Sequence, residues 1–315
     1  MRVLFTLLCV FFFQLSLKAQ TLRTLKPSTT DPTITTFDNA HLTVLPVGTP
    51  KNALFVFLPG TGAPPAGYTF ILKTAANLGF HSIGLMYQNE EAVNLACAGT
   101  SDSTCFGRVR QESFDGSDKS DKITIPRENS IESRLQKALL YLKTNAPTEN
   151  WGQFLSAKDS ILWDKIVISG HSQGGGHAGY ISKIKKVNRL VMFCANDWWF
   201  SKSQPAAWIS QNGATPPQNL FVFQHEKDQL INYTFAKVSW TAYGMTAFGA
   251  PLLVDNSTTP YKNSHELFTQ LIPNRDSTSF HNAPVVDLNT PLDANNKPIL
   301  EPVWQYMLSA SVNTC

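Results

Sequence analysis

The chain has 315 residues, 43% of them hydrophobic and 16% charged, with 26 basic and 23 acidic side chains and a formal charge of +3. Such a balance excludes a disordered chain and argues against a general binder of nucleic acid or of membrane surfaces, which carries a basic excess or patch. A chain of this length buries about three quarters of its unfolded surface, enough for a large core.

Residues 1–19 read as an export signal. Arg2 supplies a positive start, residues 3–13 are almost wholly apolar, and Ala19 is a small residue at the exit. The run is too short for a comfortable membrane span, which needs about 20 apolar residues. Cleavage after Ala19 removes Arg2 and Lys18 and no acid, leaving 24 basic against 23 acidic residues, a net +1. The mature protein is expected to be periplasmic or secreted, with no stable membrane span. Residues 20–40, rich in Thr and Pro, suggest an extended lead-in.

From there short apolar runs alternate with helical or polar stretches. Strands are expected at 42–47, 53–58 and 80–86, with a helix at 68–78 between the last two. Residues 89–128 read as a long polar insertion. Within it Cys97 and Cys105 flank a seven-residue loop, a closure cheap in loop entropy that suggests a disulfide in an exported protein. Residues 130–142 have helical period and Ser130 can cap their start. A strand at 165–169 and a helix at 174–184 follow, then strands at 190–194 and 220–223. A helix is expected at 228–243, a last short strand at 251–254 and a closing helix at 302–310. Cys194 sits in an apolar run and reads as a buried free thiol. Several strands are continuous apolar runs, which predicts a mostly parallel sheet covered by helices on both faces. No linker is evident, so residues 41–315 are expected to form one domain, with insertions at about 89–128 and 197–219.

The strongest chemical signal is Gly170-His171-Ser172-Gln173-Gly174, a G-x-S-x-G placed between a strand and a helix. A serine on so tight a turn stands above the sheet edge, and the two glycines leave room for the turn. Its hydroxyl needs a base, and the base an orienting acid. Asp228, a few residues past a core strand, is the favoured acid; Asp197, past the preceding strand, is the rival. For the base, His281 stands after a polar loop that can reach back over the sheet edge. His265 remains the alternative, though it suits the start of an amphipathic helix with Leu267 and Leu271. His225 is expected to order the acid loop, and His41 and His81 to be structural. An oxyanion site is expected from the backbone N–H groups of Gln173 and of Thr61, in the turn Leu58-Pro59-Gly60-Thr61-Gly62. Trp198 and Trp199, with Phe200 and Trp208, are candidates to line an apolar substrate pocket. No cysteine pair has zinc-ligand spacing, and the seven histidines are not expected to cluster into a metal site.

With the elbow, the early turn, an acid after a strand and a late histidine, the chain resembles the α/β-hydrolase superfamily over most of its mature length. Leu58-Pro-Gly-Thr-Gly62 with Gly170-His-Ser-Gln-Gly-Gly-Gly-His177 resembles a group of exported bacterial hydrolases. In that group the stretch like His281-Asn-Ala-Pro-Val-Val-Asp287 carries the late histidine, which favours His281 over His265. The early turn departs from the His-Gly-Gly-Gly form of many lipases and esterases. The resemblance implies an α/β-hydrolase fold and a serine hydrolase acting on a small-molecule carboxylic ester, without metal or cofactor. An amidase or peptidase using the same triad, and a non-catalytic binding protein keeping the fold, are the alternatives.

Overall fold

The structure is a computed structural model that describes residues 20–311. The expected export signal at 1–19, with Cys9, and the terminal Cys315 lie outside the described residues.

Eleven strands are found among the described residues. They are β1 (Leu22–Leu25), β2 (His41–Val44), β3 (Leu54–Leu58), β4 (His81–Gly84), β5 (Ile166–His171), β6 (Arg189–Phe193), β7 (Trp198–Trp199), β8 (Gln204–Pro205), β9 (Leu220–His225), β10 (Leu252–Leu253) and β11 (Glu266–Thr269). The α-helices are α1 (Pro27–Thr30), α2 (Thr69–Asn77), α3 (Val93–Ala96), α4 (Cys105–Asp115), α5 (Ile131–Asn145), α6 (Gln173–Ile184), α7 (Tyr233–Ala242) and α8 (Glu301–Ser309). Nine strands form one sheet in the order β1-β2-β4-β3-β5-β6-β9-β11-β10. β1 and β2 run antiparallel to their neighbours, and every pairing from β4 to β10 is parallel. β7 and β8 make a separate two-residue ribbon inside the 197–219 insertion.

Strand periodicity sends successive side chains to opposite faces. In β3, Leu54, Val56 and Leu58 join one core layer with residues of α4, α5, α6 and α7. Phe55 and Phe57 join the other with residues of α2 and α8. All five are fully buried, which is why the strand reads as an unbroken apolar run. The expected mostly parallel sheet with helices on both faces is therefore present. Among the described residues no helix is long and apolar enough to cross a membrane.

Five expectations are corrected. The 20–40 lead-in is not merely extended: β1 adds an edge strand to the sheet and α1 packs near α5. The 89–128 insertion is not wholly polar: it holds α3 and α4. The face of α4 buries Phe106, Val109 and Phe114 together with the polar Arg110, Glu112 and Ser113. The 228–243 helix starts only at Tyr233, where Asn232 caps it through two backbone N–H groups. The strand at 251–254 is short and is not the last. Residues 266–269, read as helical from the Leu267–Leu271 spacing, form β11 between β9 and β10. Pairing with β9 overrides the local spacing there. Ser130 caps α5 as expected, accepting from the Ser133 N–H. Cys97 and Cys105 form the expected disulfide, and Cys194 is a buried free thiol.

Candidate active site

The parallel strands deliver their carboxyl ends to one edge, where open α/β sheets bind ligands. β3 ends at Leu58 beside Gly170 of β5, and β5 ends at His171 beside Phe193 of β6. Ser172 follows β5 and opens α6. Its backbone stands at φ 54°, ψ −121°, a conformation that L side chains rarely adopt. The glycines explain how the turn fits. A side chain on Gly170 would strike the Gly174 backbone, and one on Gly174 would strike the carbonyls of Leu58 and Pro59. The elbow is thus clamped between β3 and its own helix.

Asp228 lies past β9. Its carboxylate accepts the backbone N–H groups of Leu230 (2.9 Å) and Ile231 (2.8 Å). His281 Nδ1 lies 2.9 Å and 2.8 Å from its two oxygens. Because that carboxylate accepts, Nδ1 carries the proton and the lone pair falls on Nε2. His281 is buried, and its Nε2 has no hydrogen-bond partner among the described residues. Behind the site the buried Cys194 thiol, pushed up by burial and then by the Asp228 charge, keeps its proton. The His281 backbone N–H donates to Gln229 Oε1 at 2.9 Å, so the acid loop also holds the main chain of the histidine. His225 accepts the Lys227 N–H (2.9 Å) and orders that loop from its start.

His171, the residue before the serine, joins three loops. Its Nε2 lies 3.0 Å from the His281 carbonyl, which only accepts, so Nε2 donates. Nδ1 then accepts from the Tyr68 hydroxyl at 3.1 Å, and that oxygen accepts the Gly60 N–H at 3.2 Å. Burial, then the neighbouring His281, hold the His171 pKa well below its ordinary value, so the ring stays neutral as this chain of bonds requires. Farther along the histidine segment, Asp287 accepts the N–H groups of Thr69 (2.7 Å) and Phe70 (3.1 Å) at the start of α2.

In the early turn, the N–H groups of Gly60, Gly62 and Ala63 are committed to Tyr68, Asn89 and Gly60. Asn89 also donates to the carbonyls of Gly60 (2.7 Å) and Ala63 (3.0 Å), fixing the turn from the first residue of the insertion. The Thr61 N–H has no hydrogen-bond partner among the described residues. Neither does the Gln173 N–H, the first of α6, where helix N–H groups lack intrahelical partners. The Thr61 hydroxyl donates to Gln173 Oε1 at 2.7 Å and ties these two positions together. The free Gln173 N–H at the N-terminus of α6 favours developing negative charge, and the free Thr61 N–H of the early turn is tied to the same position.

The rivals lie elsewhere. Asp197 is fully buried and bidentate with Arg110 of α4, at 3.0 Å (Nε) and 2.6 Å (Nη2), and accepts the Trp208 indole N–H at 3.0 Å. Arg110 also donates to the Gln173 carbonyl at 2.8 Å, and a side chain on Gly176 would occupy the guanidinium's space. His265 lies at the opposite edge of the sheet. Its Nδ1 bonds the carbonyl of Leu220, the first residue of β9, and its ring stacks between Phe221 and Phe248. Burial lowers its pKa to about 4.

Of the expected pocket residues, Trp198 lines a cavity beside Asp228. Trp199 and Trp208 do not line it. Trp199 is buried and donates its indole N–H to the Thr100 carbonyl at 2.8 Å, anchoring the disulfide loop, and Trp208 supports Asp197. Ligand atoms of His171, Cys194 and His281 lie within 4.8 Å of one another. Both His171 nitrogens are already hydrogen-bonded there. Sequence reasoning missed Tyr68, Asn89 and Arg110. The aromatic next to the early turn and the Arg-Val-Arg in a glycine-containing helix were the only local traces of them.

No protein-family model matches the chain, and no curated protein is similar to it in sequence. Solved structures are similar at low identity. MGS-M1, an α/β hydrolase enzyme from a Medee basin deep-sea metagenome library, is 14% identical over 79% of this chain and 81% of its own, with a TM-score of 0.42. TT1662 from Thermus thermophilus is 11% identical over 91% and 97%, with a TM-score of 0.42. A thermophilic esterase from the Planctomycetes species Thermogutta terrifontis is 13% identical over 78% and 80%, with a TM-score of 0.39. The fold is that of the α/β-hydrolases. It is recognised by the mostly parallel sheet and the strained serine between β5 and α6.

Proposed function

We propose that the protein is an exported serine hydrolase that cleaves carboxylic esters through an acyl-enzyme on Ser172. The observation that carries this reading is the buried Asp228–His281 pair, with its Nε2 lone pair uncommitted, at the same sheet edge as the strained Ser172 elbow.

In this reading His281 Nε2 takes the Ser172 proton as Oγ attacks the ester carbonyl carbon. The oxyanion of the tetrahedral intermediate accepts from the Gln173 and Thr61 N–H groups, each such donor contributing about 3 kcal/mol in the transition state. Collapse breaks the bond to the alkoxy oxygen, which leaves with the proton from His281. Water, deprotonated by the same nitrogen, then attacks the acyl-enzyme and frees the acid. Asp228 keeps Nδ1 protonated and orients the ring. The Cys97–Cys105 disulfide supports export, because reducing compartments keep thiols reduced.

The test is hydrolysis of p-nitrophenyl butyrate by purified protein. Activity that disappears in Ser172→Ala and His281→Ala, and persists in His265→Gln, is the expected result. Inactivity of the folded wild type, or loss in His265→Gln alone, overturns the reading. Expression with the leader intact is expected to yield a mature chain beginning at Gln20.

A further inference from the structure

A cavity of about 540 Å³ opens beside Asp228 and Gln229. Its size falls within the range of small-molecule sites. Three segments far apart in the chain build it: α3 and the residues after it, the loop after β6, and the acid loop with α7. Trp198 and Phe235 stack with centroids 4.2 Å apart and planes 1° from parallel, forming a flat aromatic wall. Phe200 meets the Phe235 ring edge-on.

The rim is apolar and open to solvent. Leu95 is 77% exposed, Phe200 64% and Leu230 67%. They are the three most exposed large hydrophobic side chains among the described residues, and one cavity collects all three. A single exposed leucine needs no explanation, but such a cluster marks a binding surface. Among the described residues its wall has one charged residue, Asp228, whose oxygens are already filled by His281 and two backbone N–H groups, and no cation that would pair with an anionic group. The cavity shares Asp228 and Gln229 with the loop that holds His281.

We propose that this cavity binds an uncharged apolar arm of the substrate, aliphatic or aromatic and larger than a propionyl group. As a statement about substrate it rests on the serine-hydrolase reading. As a statement about binding it stands alone, and two measurements keep the parts separate.

The first is isothermal titration with octan-2-one, uncharged and not hydrolysable, and with sodium octanoate. The ketone is expected to bind, the carboxylate at least tenfold more weakly, and the paired change Phe200→Ser and Leu230→Ser to weaken ketone binding at least fivefold. Absence of ketone binding, equal binding by the variant, or tighter binding of octanoate overturns the proposal. The second is the ratio of kcat/KM for p-nitrophenyl octanoate over acetate, beside that for octyl over ethyl acetate. One ratio is expected to exceed ten and to fall at least fivefold in the paired variant, and which one does so tells whether the arm is the acyl or the alcohol part. Ratios near one, or unmoved by the variant, overturn the substrate assignment. Ketone binding without fluorophosphonate labelling of Ser172 would instead sink the hydrolase reading and leave the cavity's ligand class standing.

Discussion

Asp197 and Asp228 follow adjacent parallel strands, β6 and β9, and both are buried with donors on each oxygen. Asp197 meets Arg110 and the Trp208 indole, which fill both of its oxygens. Asp228 meets His281 and two backbone N–H groups. Equivalent strand ends thus yield a structural anchor in one case and a candidate catalytic acid in the other. The partner delivered by a distant segment decides, α4 for Asp197 and the 281–287 stretch for Asp228. The histidines repeat the lesson: His265 precedes β11 and His281 comes well after it, so they fall at opposite edges of the sheet.

The largest effect is expected from His281→Ala, which should lower kcat for p-nitrophenyl butyrate by roughly a million-fold. Asp228→Asn should lower it about ten-thousandfold, with the urea midpoint nearly unchanged. Asp197→Ala should do the reverse. It strands a buried guanidinium and should cost about 3–5 kcal/mol in urea unfolding, with a much smaller loss of kcat than Asp228→Asn. Equal losses of kcat in both variants would erase the distinction.

A smaller effect is expected from Tyr68→Phe, which removes the oxygen between Gly60 N–H and His171 Nδ1. Leaving those buried groups unpaired should cost about 1–3 kcal/mol. Because the same oxygen joins the early turn to the elbow, kcat should fall while KM barely moves; no change in either stability or kcat would refute the network.

The smallest concerns acid. Burial holds His41 at about 3 and His265 at about 4, below their ordinary 6.5. The unfolded chain therefore takes up these protons first. Stability from these groups is full above pH 6.5 and is lost as pH falls towards 4 and 3. Thermal melting should drop from pH 7 to pH 4.5, and His265→Gln should flatten that slope; an unaltered slope would show that His265 does not contribute to it.

What the sequence made legible follows the same division. The central strands show as apolar runs because both faces of the sheet are covered, and the elbow shows because glycines and serine act within five residues. The acid and the late histidine were readable from position after a strand and from the chain order of the fold. Arg110, Tyr68 and Asn89 were not, since each acts on a partner dozens of residues away. Glu112 illustrates why α4 was hidden: its buried carboxylate accepts the N–H groups of Lys119, Ser120 and Ile125, so a charged residue sits inside where pattern reading expects an exposed one. Trp199 was legible as an aromatic but not as an anchor, because Thr100, its acceptor, lies in the insertion.

The most direct test is intact-mass and peptide analysis after exposure of the folded protein to a fluorophosphonate. The account predicts one adduct per chain, on Ser172, formed by the wild type and by His265→Gln, absent in Ser172→Ala and severely slowed in His281→Ala. An adduct on another residue, or a His281→Ala variant labelled as fast as the wild type, would contradict it.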